Sequence, residues 1–179
     1  QIMREKGEIE VKDTDFRIDV KVDKEKKTLT FADNGIGMDA HEVEKYIAQI
    51  AFSSAEEFME KYKGNEEGSQ IIGHFGLGFY SSYMVADKVE LNTLSWKEGA
   101  EPAFWSCDGS RDYELTEGTR TERGTEITLF VNNESDEYLE ESKIREILNH
   151  YCSFLPVPIY LNDTHINHHE PLWIKAPSE

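Results

Sequence analysis

A chain of 179 residues, 38% of them hydrophobic, suits one domain with a single core and is too apolar for a disordered segment. Its 36 acidic residues against 19 basic ones give a formal charge of −17, a surface that repels nucleic acid and anionic membranes. An anionic ligand would need a local electropositive site built from backbone amides.

Cys107 and Cys152 are the only cysteines, far apart and in no metal-ligand spacing, and they read as reduced structural thiols of a cytoplasmic protein. No apolar run reaches transmembrane length, and the charged start is unlike a signal sequence. The chain begins with Gln1 rather than Met, which reads as a piece excised from something longer.

Residues 1–15 are polar and patternless, a loop or the edge of a truncation. Phe16, Ile18, Val20 and Val22 then alternate with polar residues at the period of a half-buried strand. A charged turn at 23–26 leads to a second strand, Thr28 to Ala32, so the pair predicts a hairpin. Asp33 ends that strand where Asn34-Gly35 breaks it. Asp39 followed by Glu42 is a capping-box start for a helix carrying Val43, Tyr46, Ile47 and Ile50. Ser54 and Glu57 make a second such start, and the polar stretch 63–70 reads as a linker or lid.

A glycine-rich stretch, 73–80, runs into a predicted helix at Ser81 to Ala86. Predicted strands follow at Lys88 to Thr93, Ala103 to Cys107, Tyr113 to Thr116 and Thr125 to Val131. Asp136 to Cys152 reads as an amphipathic helix with Leu139, Ile144, Ile147, Leu148 and Tyr151 facing inward. Pro156 and Pro158 stop it, and Val157 to Leu161 is a short last strand. Hairpin-linked strands in series predict an α/β two-layer sandwich, a mostly antiparallel sheet with helices on one face. The domain is expected to span 16–175.

Two stretches carry the chemistry. Gly73, Gly76 and Gly78 alternate with bulky residues at a helix entrance, where amides can close on phosphate. Phe75 and Phe79 would anchor that loop in the core. The spacing fits neither a P-loop nor a dinucleotide-binding turn. Upstream, Asp33 at a strand end can accept a hydrogen bond from the amine of adenine, whereas guanine offers an oxygen there. Gly35 and Gly37 would let the base approach the backbone, Met38 would pack on its ring, and the Thr125 hydroxyl would join the Asp33 network. Taken alone, Asp33-Asn34-Gly35 reads as a plain turn. Together the stretches read as opposite walls of one adenine-nucleotide pocket.

Asp-Asn-Gly-Ile-Gly-Met at 33–38, Gly-His-Phe-Gly-Leu-Gly-Phe-Tyr-Ser at 73–81, Met-Val-Ala-Asp-Lys-Val at 84–89 and Arg-Gly-Thr-Glu-Ile at 123–127 occur in that order. With Pro171-Leu172-Trp173, they resemble the N-terminal nucleotide-binding domain of the 90-kDa heat-shock chaperones, in their bacterial branch. The resemblance covers Phe16 to Trp173. It implies the Bergerat ATP-binding fold shared with DNA gyrase and sensor histidine kinases, with ATP or ADP as ligand. By motif, Asp33, Gly37, Met38 and Thr125 would hold adenine, and Gly73, His74, Phe75, Gly76, Leu77, Gly78 and Phe79 the phosphates. Nucleotide would drive closure of a lid at 54–72 and self-dimerisation in the intact protein, which acts on client proteins and uses Mg²⁺.

The sequence departs from that family in three places. The helix bearing the family's water-activating glutamate and magnesium-binding asparagine has no counterpart in 1–15, so no catalytic or metal-binding residue is assigned. Phe52 stands where many members have lysine, and Tyr46 where some have asparagine. Two rival readings remain: another ATPase of the same fold (a topoisomerase subunit or a histidine kinase), and an interaction module that binds no nucleotide. His165, His168 and His169 read as a solvated loop, and Trp96, Trp105 and Trp173 as packing residues.

Overall fold

The computed structural model describes residues 16–48, 78–110 and 112–167. Alternation from Ile18 onward yields the expected hairpin: β1 (Ile18–Asp23) pairs antiparallel with β2 (Thr28–Asp33), Val20 opposite Phe31. Asp39 then caps a short helix, α1 (Ala40–Val43). Its side chain accepts from the Glu42 amide, and Glu42 accepts in return from the Asp39 amide, closing the capping box. A π-helical turn, Glu44–Ala48, continues it. The second capping start at Ser54 and the 63–70 stretch lie outside the described residues.

A 3-10 turn, Phe79–Met84, precedes β3 (Ala86–Leu94). The helix expected at Ser81 to Ala86 is thus displaced two residues towards the N-terminus and is a 3-10 turn, because Ala86 already pairs with Val131 in the strand. β4 (Ala103–Cys107), β5 (Glu114–Glu117) and β6 (Gly124–Val131) follow close to their predicted places. The long helix expected at 136–152 is two elements. A 3-10 segment, Asn133–Leu139, ends at Glu140, whose extended backbone (φ −87°, ψ 119°) starts α2 (Glu141–Cys152). β7 (Ile159–Leu161) and β8 (Thr164–His165) close the described chain, joined by Asn162-Asp163, both at positive φ as a two-residue hairpin requires.

The eight strands form one sheet in the order β5-β4-β3-β6-β2-β1-β7-β8, antiparallel at every pairing except β1 with β7. Register puts Val20, Leu29, Leu129, Val89, Leu91, Ala103 and Trp105 on one face, where they pack with Val43, Ile47, Leu139, Ile144 and Leu148 from the helical segments. This is the two-layer sandwich the alternation predicts. Leu91, Leu161, Val20, Val43 and Val89 are essentially sealed from water, each worth about 1.5–3 kcal/mol of transfer free energy.

Tyr151 departs from expectation: it is 75% exposed. The buried stripe of α2 runs Ile144, Leu148 and on to half-buried Cys152, so Tyr151 is left on the solvent side with the His150 ring 4.5 Å from its own. Cys107 and Cys152 are free thiols. Among the described residues no helix is long and apolar enough to cross a membrane.

Candidate functional site

The site begins where β2 ends. Asp33 pairs with Thr125 across β2 and β6, and Thr125 pairs with Thr93 across β6 and β3. Strand register therefore sets one carboxylate and two threonine hydroxyls in a row on the helix-covered face. Asp33 Oδ1 accepts from the Gly35 amide at 2.7 Å, an Asx-type turn that bends the chain back over the strand ends. Burial pushes the Asp33 carboxyl above its ordinary value of 3.8, against the pull of the Gly35 and Thr125 backbone bonds and the nearby Arg120 and Arg123 charges.

The loop 34–38 is fixed at several points. The Met38 amide donates to Thr93 Oγ1 at 2.9 Å, and the Trp96 amide donates to the Ile36 carbonyl at 2.8 Å. Arg123 donates to the Gly35 carbonyl at 2.9 Å, and the Arg17 amide to Asn34 Oδ1 at 2.9 Å. Lys97 reaches from the loop after β3 to both partners of the capping box, 2.7 Å from Asp39 and 2.8 Å from Glu42. Burial works to raise the Asp39 carboxyl, but the bonds from Lys97 and the Glu42 amide outweigh it and hold it below the ordinary range.

Two glycines make this approach possible. Gly37 has φ +61°, and a Cβ there would lie 1.9 Å from the Leu94 carbonyl oxygen and 3.1 Å from the Gly124 nitrogen. Gly124 has φ +122°, and its Cβ would lie 2.1 Å from the Asp33 carbonyl oxygen. Gly37 thus serves contact with the protein's own backbone, a demand separate from the base approach expected of it. Met38 is half-buried and packs on the core.

Of the predicted site residues, Asp33, Gly37, Met38 and Thr125 are brought together. The Thr125 hydroxyl enters the cluster differently from expectation: it lies 3.0 Å from Thr93 Oγ1, while its backbone serves the Asp33 carboxylate. Gly73, His74, Phe75, Gly76 and Leu77 lie outside the described residues, as do Phe52 and the 54–72 segment. Gly78 is exposed ahead of the 3-10 turn, and Phe79 packs edge-on against Trp105 at 5.5 Å; the loop it was expected to anchor lies outside the described residues. The six-residue 3-10 turn is a weak source of helix dipole. Beside it a cavity of about 490 Å³ is lined by Ala48, Tyr80, Tyr83, Trp105, Cys107 and Tyr113. His165 stacks on Tyr160 at 5.0 Å; His168, His169 and Trp173 lie outside the described residues.

Thr93 is the residue that sequence reading missed. It is fully buried, donates to the Gly124 carbonyl at 3.0 Å and ties together the Met38 loop and Thr125. Its signal was present: positions 89, 91 and 93 share the inward face of β3, and a hydroxyl among them demands a partner.

A sheet of this topology, with a half-buried carboxylate at a strand end and a glycine-bearing loop folded over it, belongs with nucleotide-binding ATPase domains. The chain is a member of the histidine kinase-, DNA gyrase B- and HSP90-like ATPase family, whose model matches residues 12–133. It is 49% identical to the chaperone protein HtpG of Bacteroides fragilis, over 86% of this chain and 24% of that protein. Identity is 44% to the HtpG of Porphyromonas gingivalis, over 97% of this chain and 27% of the relative. For the HtpG of Fusobacterium nucleatum it is 41%, over 94% and 28%. The chain thus spans about a quarter of the length of the curated relatives it matches.

Proposed function

We propose that this chain binds ADP or ATP and is the N-terminal nucleotide-binding domain of an HtpG-like molecular chaperone. The observation that carries the reading is the row Asp33, Thr125 and Thr93 under the loop held by Gly37. The adenine amine donates to the Asp33 carboxylate, Gly37, Met38 and Thr125 flank the base, and Gly73 to Phe79 close on the phosphates. A guanine oxygen set against the same carboxylate leaves a partly desolvated charge unpaired, which is the basis of base selection.

The names of the relatives favour a chaperone over a topoisomerase subunit or a histidine kinase. Residues 16–175 act as one nucleotide-binding domain. In the longer protein, bound nucleotide would bias dimerisation and the handling of client proteins, since a ligand shifts such an equilibrium only by contacting its two states differently. A cytoplasmic setting fits the two free thiols. Mg²⁺ belongs to this reading only through the family. Among the described residues no group of three or more His, Cys, Asp or Glu side chains is placed to hold a metal.

Amide chemical-shift mapping tests the proposal. Adding ADP is expected to move the Gly35, Gly37, Met38 and Thr125 amides together, with one saturation curve. Saturable binding that leaves these four unmoved, or no binding by the folded chain, overturns it.

A further inference from the structure

The Thr93 hydroxyl has one proton and two lone pairs, and three neighbours claim them. The Met38 amide, 2.9 Å away, can only donate. The Gly124 carbonyl, 3.0 Å away, can only accept. Those two contacts use the proton and one lone pair. The third neighbour, the Thr125 hydroxyl at 3.0 Å, meets the remaining lone pair and must therefore be the donor. Thr93 is 0% exposed, so no solvent molecule rearranges this assignment from its side.

We infer that Thr93 is a specificity-determining positioning residue: by taking the Thr125 proton, it leaves Thr125 able to meet a ligand only as an acceptor. The inference rests on the adenine-nucleotide reading above and deepens it. Asp33 and Thr125, opposite one another on β2 and β6, then present a carboxylate and a hydroxyl lone pair and no donor. A base with a 6-amino group brings two N–H donors to such a surface, directly or through a water. A base with a 6-oxo group brings an acceptor and finds nothing to pair with it. Were the Thr125 hydroxyl free to rotate, it would donate to the 6-oxo oxygen and soften that exclusion. Asp33 repels the wrong base by its charge, and Thr93 removes the escape route beside it.

The test is calorimetric titration with ADP and inosine diphosphate, which differ at the 6-position and in the proton on N1. It uses the unchanged chain and the variants Thr93→Val, Thr93→Ser and Thr125→Val, with folding followed by circular dichroism. The unchanged chain should prefer ADP. Thr93→Val should narrow the ADP-to-IDP affinity ratio by about 5–10-fold, one hydrogen bond's worth, and Thr93→Ser should restore it. Thr125→Val should weaken ADP and leave IDP unchanged, a result that carries the test if Thr93→Val does not fold. A ratio unmoved in a folded Thr93→Val, a serine variant that fails to restore it, or equal losses of ADP and IDP in Thr125→Val each overturn the inference while leaving the nucleotide reading intact. Failure of the unchanged chain to bind ADP overturns both.

Discussion

Replacing Gly37 with alanine separates two costs that glycines usually combine. The backbone sits at φ +61°, where an L-residue carries about 1–2 kcal/mol of strain. The added Cβ would also lie 1.9 Å from the Leu94 carbonyl oxygen, far inside any real contact, and that obstacle is backbone. The loop must move by more than an ångström, which breaks the Met38–Thr93 bond and loosens Trp96–Ile36, at about 1 kcal/mol each. The sum is about 3–4 kcal/mol, or roughly 6–16 °C in Tm for a chain of this size. Gly99→Ala is the control: its φ is +74°, but no atom lies within 4 Å of the added carbon, so only the backbone term applies. Thermal unfolding by circular dichroism, with ADP affinity measured in parallel, reads both. If Gly37→Ala melts within 2 °C of Gly99→Ala (a margin of about 1 kcal/mol at most) and binds ADP as the parent does, the backbone contact does not hold the loop.

Three further outcomes follow from the geometry. Asp33→Asn should stabilise the ligand-free chain near neutral pH. A carboxyl raised above 3.8 favours the folded state below that value and loses the benefit as pH rises through its folded pKa, so the variant's advantage should appear over that rise and persist above it. Melting curves at pH 3 to 8 check the sign. Lys97→Met should cost only about 0–1 kcal/mol, because the Lys97 side chain is 46% exposed, and the loss should shrink in salt. Asp39 is held low, so the part it contributes is present above 3.8 and vanishes as pH falls through its folded pKa. Leu91→Ala empties a sealed position on the interior strand β3 and should lower stability by about 2–5 kcal/mol in urea titration.

Much of the architecture was legible because one physical signal dominated. The period-2 alternation from Phe16 to Val22 has one apolar face, and β1 and β2 pair in the register it demands. Asp39 and Glu42 form their capping box because both partners are local. Where two signals competed, the reading slipped. Val85 and Ala86 fit a helix end by spacing, yet tertiary pairing with β6 claims Ala86 for the strand. Helical periodicity ran through Glu140, while Lys24 draws that side chain to the hairpin at 2.7 Å and the chain turns extended there. At the site, Asp33 was legible as a carboxylate at a strand end. Thr93 left only a partial signal, its inward position on β3, because a threonine is an ordinary strand residue until its buried partners are known. They come from 38, 124 and 125, and only the folded sheet brings them together.

The most direct test of the account is titration of ADP and GDP into the unchanged chain and into Asp33→Asn, each shown to be folded. The account predicts saturable ADP binding by the parent, no comparable binding of GDP, and loss of that preference in the variant. GDP binding as tight as ADP, or an Asp33→Asn chain that keeps full adenine preference, would contradict it.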